Sequence, residues 1–133
     1  MKSLAKKLFD ICYYDLYYTI GYGTLAGLGN GYGDHTAGNR FDYGFGEGFI
    51  NNAKLGLLIN PVYPILFKHL QKGKNYRRNA HLFNLGLNLL FLGWHYYVGT
   101  ANPIQTQIPS LLVGVLMVNK HVSETLDEKL KSS

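Results

Sequence analysis

Charge is what this sequence is short of. Asp, Glu, Lys and Arg supply 16% of its 133 residues, where a soluble domain usually carries about 25%. Cysteine is nearly absent. The single Cys12 excludes an internal disulfide framework and any zinc or iron–sulfur site built from several thiolates. Proline is scarce, at 4 residues. What stands in their place is 16 Gly, 11 Tyr and 7 Phe. Low charge together with many aromatics excludes a disordered chain. The length suits a single domain, because two halves would each be too small to bury a good core.

The mean hydropathy, −0.06, does not point to a membrane, but the placement of the charges does. No Asp, Glu, Lys or Arg occurs from Asn79 to Asn119, a run of 41 residues. A spanning helix needs about 20 apolar residues, so the run fits two helices joined by Gly99-Thr100-Ala101-Asn102-Pro103, a turn composition. Two further charge-poor stretches lie upstream, one rich in Gly and one containing Pro61 and Pro64. The expectation is an all-α fold, a single transmembrane domain built as a four-helix bundle. Its spans fall at about 11–31, 48–67, 80–98 and 105–121, with an outer loop at about 32–47 and a basic cytoplasmic loop at about 68–79. This count gathers 11 of the 13 basic residues on one side, leaving Arg40 and Lys54. By the positive-inside rule both termini are then cytoplasmic. Lys68, Lys72, Lys74, Arg77 and Arg78 are expected to meet lipid headgroups, at roughly 1 kcal/mol each. No motif for nucleic acid accompanies the net charge of +5, so no nucleic-acid partner is expected.

The helix faces carry more detail. In the third span six Leu, two Phe and Val98 favour insertion by about 4–5 kcal/mol. His81, Asn84, Asn88, Phe91 and His95 step by three and four residues along one face, and an unpaired amide in hydrocarbon costs several kcal/mol. Asn84, Asn88 and His95 are therefore expected to face protein. The fourth span has a matching seam of Gln107, Ser110, Gly114, Met117 and His121, in which Ser110 and Gly114 form a small-xxx-small pair. Gly23, Gly27 and Gly31 in the first span form a glycine-zipper ridge suited to close helix packing.

Several features invite a chemical reading. Thr19-Ile20-Gly21-Tyr22-Gly23 resembles the selectivity filter of potassium channels, which implies a ring of backbone carbonyls replacing an ion's hydration shell. Asp34, His35, Asp42 and Glu47 in the expected outer loop are possible hard-metal or proton ligands, without recognisable ligand spacing. His81 and His121 are candidate metal ligands that could hold a haem between two helices, although no cofactor is expected. No Ser/His/Asp set, phosphate-binding glycine loop or paired acid motif is present. The tail Lys129-Leu130-Lys131-Ser132-Ser133 resembles the dilysine retrieval signal of endoplasmic-reticulum membrane proteins, which implies that membrane as one possible location.

The functional expectation is a small, non-catalytic accessory subunit of a larger membrane complex. It would pack against other membrane subunits, within the lipid bilayer, through its glycine and Asn/His faces. The alternatives are a homo-oligomeric ion pore or small transporter lined by the polar seam, and a haem-binding redox subunit.

Overall fold

The computed structural model describes residues 3–131. Met1, Lys2, Ser132 and Ser133 lie outside it, and with them one basic residue of the N-terminus and the end of the dilysine-like tail. Among the described residues all regular structure is helical. Helix α1 runs Leu4–Thr36, α2 Phe41–Ile59, α3 Tyr63–Gln71, α4 Tyr76–Val98 and α5 Pro103–Lys131, with a 3-10 turn at Asn60–Val62.

Local chemistry sets these boundaries. Ser3 caps α1 by accepting the Lys6 N–H through its hydroxyl, which satisfies one of the orphan donors of the first turn. Pro61 and Pro64 sit in the first turns of the 3-10 turn and of α3. Each lacks the N–H that would continue the preceding helix, so α2 ends at the 3-10 turn and the chain restarts as α3. Helix α4 stops at Gly99, which takes φ of +81°, a left-handed cap conformation open to glycine at little cost. Pro103 then opens α5 at the helix position where a missing N–H is harmless.

The rods run up and down in alternation. The most extensive contact is between α1 and α2; α5 packs on α1 and on α4, and α4 closes the ring against α2. The α1–α2 seam is antiparallel and reciprocal. Gly23, Gly27 and Gly31 of α1 receive the rings of Phe49, Phe45 and Phe41 of α2, and those three rings stack along α2 with centroids 6.2 Å apart. In return, Gly44 and Gly48 of α2 lie against the α1 backbone. A Cβ at Gly48 would stand 2.7 Å from the Ala26 carbonyl oxygen.

The interior is mostly polar or small. Among the described residues its buried apolar side chains are Ala26, Tyr76, Ala80, Val118 and Val122, and four of these form one cluster at the α4–α5 end. Eleven polar residues are buried beside them, among them Asn30, Asn52, Asn60, Asn84, Asn88 and His95. The large apolar side chains point outward on every helix: Leu58 is 74% exposed, Leu116 70% and Tyr97 84%.

The expected transmembrane architecture is not supported. No helix among the described residues is long and apolar enough to cross a membrane. The reason is that freedom from charge is not apolarity. Helix α4 has no Asp or Glu and is free of charge beyond Arg78, yet Asn79, His81, Asn84, Asn88 and His95 interrupt its leucines. Helix α1 adds Asp10, Asp15 and Asp34 to a glycine-rich stretch. The multi-pass membrane localisation, with cytoplasmic termini and an endoplasmic-reticulum address, falls with that architecture. The expected outer loop at 32–47 is also absent. Helix α1 continues to Thr36 and α2 begins at Phe41, leaving a four-residue link. The antiparallel order nonetheless brings Lys6, Lys7, Lys68, Lys120 and Lys129 to one end of the bundle.

The seam predicts opposite signs for glycine substitutions. Gly48→Ala should destabilise by about 1–2 kcal/mol, because steric conflict with the Ala26 backbone exceeds the helix-propensity gain of roughly 1 kcal/mol. Gly86→Ala, where nothing lies within 4 Å of the added methyl, should stabilise by about 0.5–1 kcal/mol. Urea midpoints for the two variants check both signs.

Candidate functional site

The chemistry-bearing side chains converge inside the bundle. At the α2–α4 seam His95 is wholly buried. Its Nε2 lies 3.0 Å from Asn52 Oδ1 and its Nδ1 2.8 Å from Thr100 Oγ1. Asn51 Nδ2 donates to that same Thr100 oxygen at 3.0 Å. These contacts fit one tautomer. Nε2–H donates to the Asn52 carbonyl, the Thr100 hydroxyl donates to Nδ1, and the Asn51 amide donates to Thr100. The indole N–H of Trp94 donates to the Asn51 backbone carbonyl at 2.7 Å. Burial lowers the pKa of His95 from 6.5 to about 4, since an imidazolium here would lose its hydration.

A second group ties the α4–α5 turn to α1. The Asn102 backbone N–H donates to Asn30 Oδ1 at 3.0 Å, and its side-chain amide donates to Asp34 Oδ1 at 2.8 Å. Asn30 Nδ2 donates to the Gly44 carbonyl at 2.7 Å. Ala101 N–H donates to Glu47 Oε1 at 2.6 Å. A third group fills the α4–α5 seam. Gln107 Nε2 donates to Asn88 Oδ1 at 2.6 Å, and Asn88 Nδ2 to the Asn84 carbonyl at 2.8 Å. Gly114 makes room for Asn84, whose Oδ1 would stand 2.5 Å from a Cβ at that position. A void of about 30 Å³ lies between these amides, Tyr22 and Tyr63, a size that accommodates a water molecule. Gln107 Oε1 and Ser110 Oγ, which border it, have no hydrogen-bond partner among the described residues.

The residues singled out from the sequence thus sit as follows. Gly23, Gly27 and Gly31 face α2; Asn84, Asn88, Gln107, Ser110 and Gly114 share the α4–α5 seam; and His95 turns to α2. His81 and His121 do not converge. His121 stacks edge-on with Phe67 and Tyr76, and its Nε2 accepts from Gln71 Nε2 at 3.2 Å. It is level with Tyr76, five residues or about 7.5 Å along α4 from His81. The filter-like Thr19–Gly23 lies within α1, so its carbonyls serve the helix ladder; Ile20 O also accepts the Thr24 hydroxyl at 2.8 Å. Asp34 and Glu47 are engaged by the α4–α5 turn, and Asp42 pairs with Arg40 at 2.6 Å. That Arg40 contact holds the Asp42 carboxyl below its usual range, and at this exposed position it adds little stability. No group of three or more His, Cys, Asp or Glu among the described residues could hold a metal. Asn30, Asn51, Asn52, Asn60 and Thr100 were not singled out. Of these only Asn52 has a sequence signal within its own helix, the four-residue step from Gly44 through Gly48 and Asn52 to Gly56 that marks the buried face of α2.

Compared with known protein families, curated proteins and solved structures, the chain matches none of them.

The tautomer predicts a pH dependence. The folded pKa of His95 lies below the unfolded value, so its contribution is fully present above pH 6.5. It is lost as the pH falls toward 4, by about 3 kcal/mol in all. In His95→Gln the urea midpoint should be lower than wild type at pH 7, and the wild-type decline between pH 6.5 and 4 should largely flatten. An unchanged slope would assign the decline to other groups.

Proposed function

We propose that the protein is a non-catalytic assembly subunit that binds other polypeptide chains through the apolar outer faces of its helices. The observation carrying this reading is the inverted distribution of polarity. Amides, hydroxyls and an imidazole are hydrogen-bonded inside, while Leu, Ile, Tyr and Phe are exposed on every helix. Contiguous exposed apolar surface of this extent marks an interaction site, and aromatic residues are favoured at the centres of protein interfaces. Helix α5 contributes Ile108, Leu112 and Leu116, and α4 contributes Leu82, Leu85 and Leu89, all of them exposed.

The polar seam supports the same reading by what it does not offer. Asn84, Asn88 and His95 bond within this one chain, so they are not lined up to meet a passing ion or a second copy. Their role is to fix the register of the helices that present the outer faces. An amide or imidazole left unpaired by a wrong register would lose about 1–3 kcal/mol.

The test is co-purification from the native source by an affinity tag, followed by mass spectrometry of the intact assembly. A larger chain at fixed stoichiometry is expected. Leu112→Gln with Leu116→Gln should lower its recovery at least tenfold, while the urea midpoint of the isolated subunit stays within about 0.5 kcal/mol per site, as for surface changes generally. Recovery of the subunit by itself under the gentlest extraction would overturn the reading.

A further inference from the structure

A cleft of about 530 Å³ opens between α1, α3 and α5. Its origin is the break at Asn60–Val62. Above the break α2 is locked to α1 by the glycine seam. Below it α3 departs toward α4, where Tyr63 and Phe67 meet Phe83 with ring centroids 5.2 and 5.6 Å away. The face of α1 left uncovered is an aromatic ladder. Tyr14, Tyr18 and Tyr22 follow at four-residue spacing, with centroids 4.2 and 6.1 Å apart. Gly114 and Met117 of α5 form the facing wall, and Tyr22 reaches Met117 with its hydroxyl 3.9 Å from the sulfur.

The mouth of the cleft has a different chemistry. Lys68 on α3 and Lys120 on α5 line it together with Glu124. Neither Lys68 nor Lys120 takes part in an ion pair with a described residue, so both ammonium groups are uncommitted. Burial raises the pKa of Tyr14 and Tyr63 and takes that of Tyr22 to about 12. The phenols therefore stay neutral and put no negative charge against an anion. The volume lies within the range of roughly 300–1,000 Å³ typical of small-molecule sites, which pair apolar walls with a few polar groups.

We propose that this cleft binds a small molecule with a flat apolar or aromatic body and one acidic group. The body lies between the tyrosine ladder of α1 and the Gly114–Met117 face of α5, and the acid meets Lys68 and Lys120. Flat rings suit the wall because offset stacking on tyrosine adds to apolar burial. The ammonium groups favour an anion over its neutral counterpart, and the lone Glu124 does not cancel them. This site is separate from the outer faces assigned to assembly, so it stands or falls independently of that reading.

Titration calorimetry on the purified full chain tests it, with naphthalene-2-sulfonate as the probe and 2-naphthalenemethanol as its uncharged counterpart. One equivalent of sulfonate should bind. Lys68→Gln with Lys120→Gln should weaken it about fivefold or more and remove the preference over the alcohol. Met117→Trp, which fills the cleft, should abolish binding. If that variant loses helical circular dichroism, the double lysine variant and the alcohol comparison decide the matter. No measurable binding, equal affinity for the alcohol, or full binding by a folded Met117→Trp protein would each overturn the proposal. The last would place the probe on the outer apolar faces.

Discussion

The close approach of α1 and α2 is the constraint on which everything else rests. Where glycine stands on both partners, two backbones can touch, and here each helix supplies glycines for the other's side chains or carbonyls. With so few apolar side chains buried, hydrophobic volume cannot hold this bundle in the ordinary way. Dispersion between tightly fitted backbones and rings takes a larger share, and such contacts decay over fractions of an ångström. The glycines are therefore not spacers. They set the distance at which Asn30 of α1 can reach the Gly44 carbonyl of α2.

Hydrogen bonding then converts proximity into a unique arrangement. Asn30, Asn52, Asn88, His95 and Asn102 each satisfy a partner on another element or at another level of the same one. A typical hydrogen bond contributes only about 1 kcal/mol net. Its absence costs more, and that asymmetry excludes slipped registers more firmly than it stabilises the correct one. The same logic explains a small imperfection. Gln107 Oε1 and Ser110 Oγ border a void and have no hydrogen-bond partner among the described residues.

Part of this was legible in the residues. The four-residue spacing of Gly23, Gly27 and Gly31 is visible in the sequence, as are the steps of Asn84, Asn88 and His95 and of Gln107, Ser110 and Gly114. The Gly99–Pro103 composition announces a turn. The partners of these groups were not legible. Asn102 meets Asn30 across 72 residues of chain, and nothing local in either residue encodes the other. The loop expected at about 32–47 follows from the count of spans, and the structure instead continues α1 through Tyr32, Gly33 and Asp34. In fact Gly33 clears space for Asn102, and Asp34 receives its amide. The transmembrane expectation fails because an uncharged run is not an apolar one. Amides and imidazoles evade a count of charges, yet they dominate the polarity of α4.

The tie between Trp94 and Asn51 has a practical bearing. Trp94 is the chain's single tryptophan, and its indole N–H is fastened to α2 by a 2.7 Å bond one residue away from the buried imidazole. Its fluorescence is thus a native optical gauge of whether α2 and α4 are together. A shift in its emission wavelength that precedes any loss of helical signal would mark the parting of that one seam while the rods themselves persist.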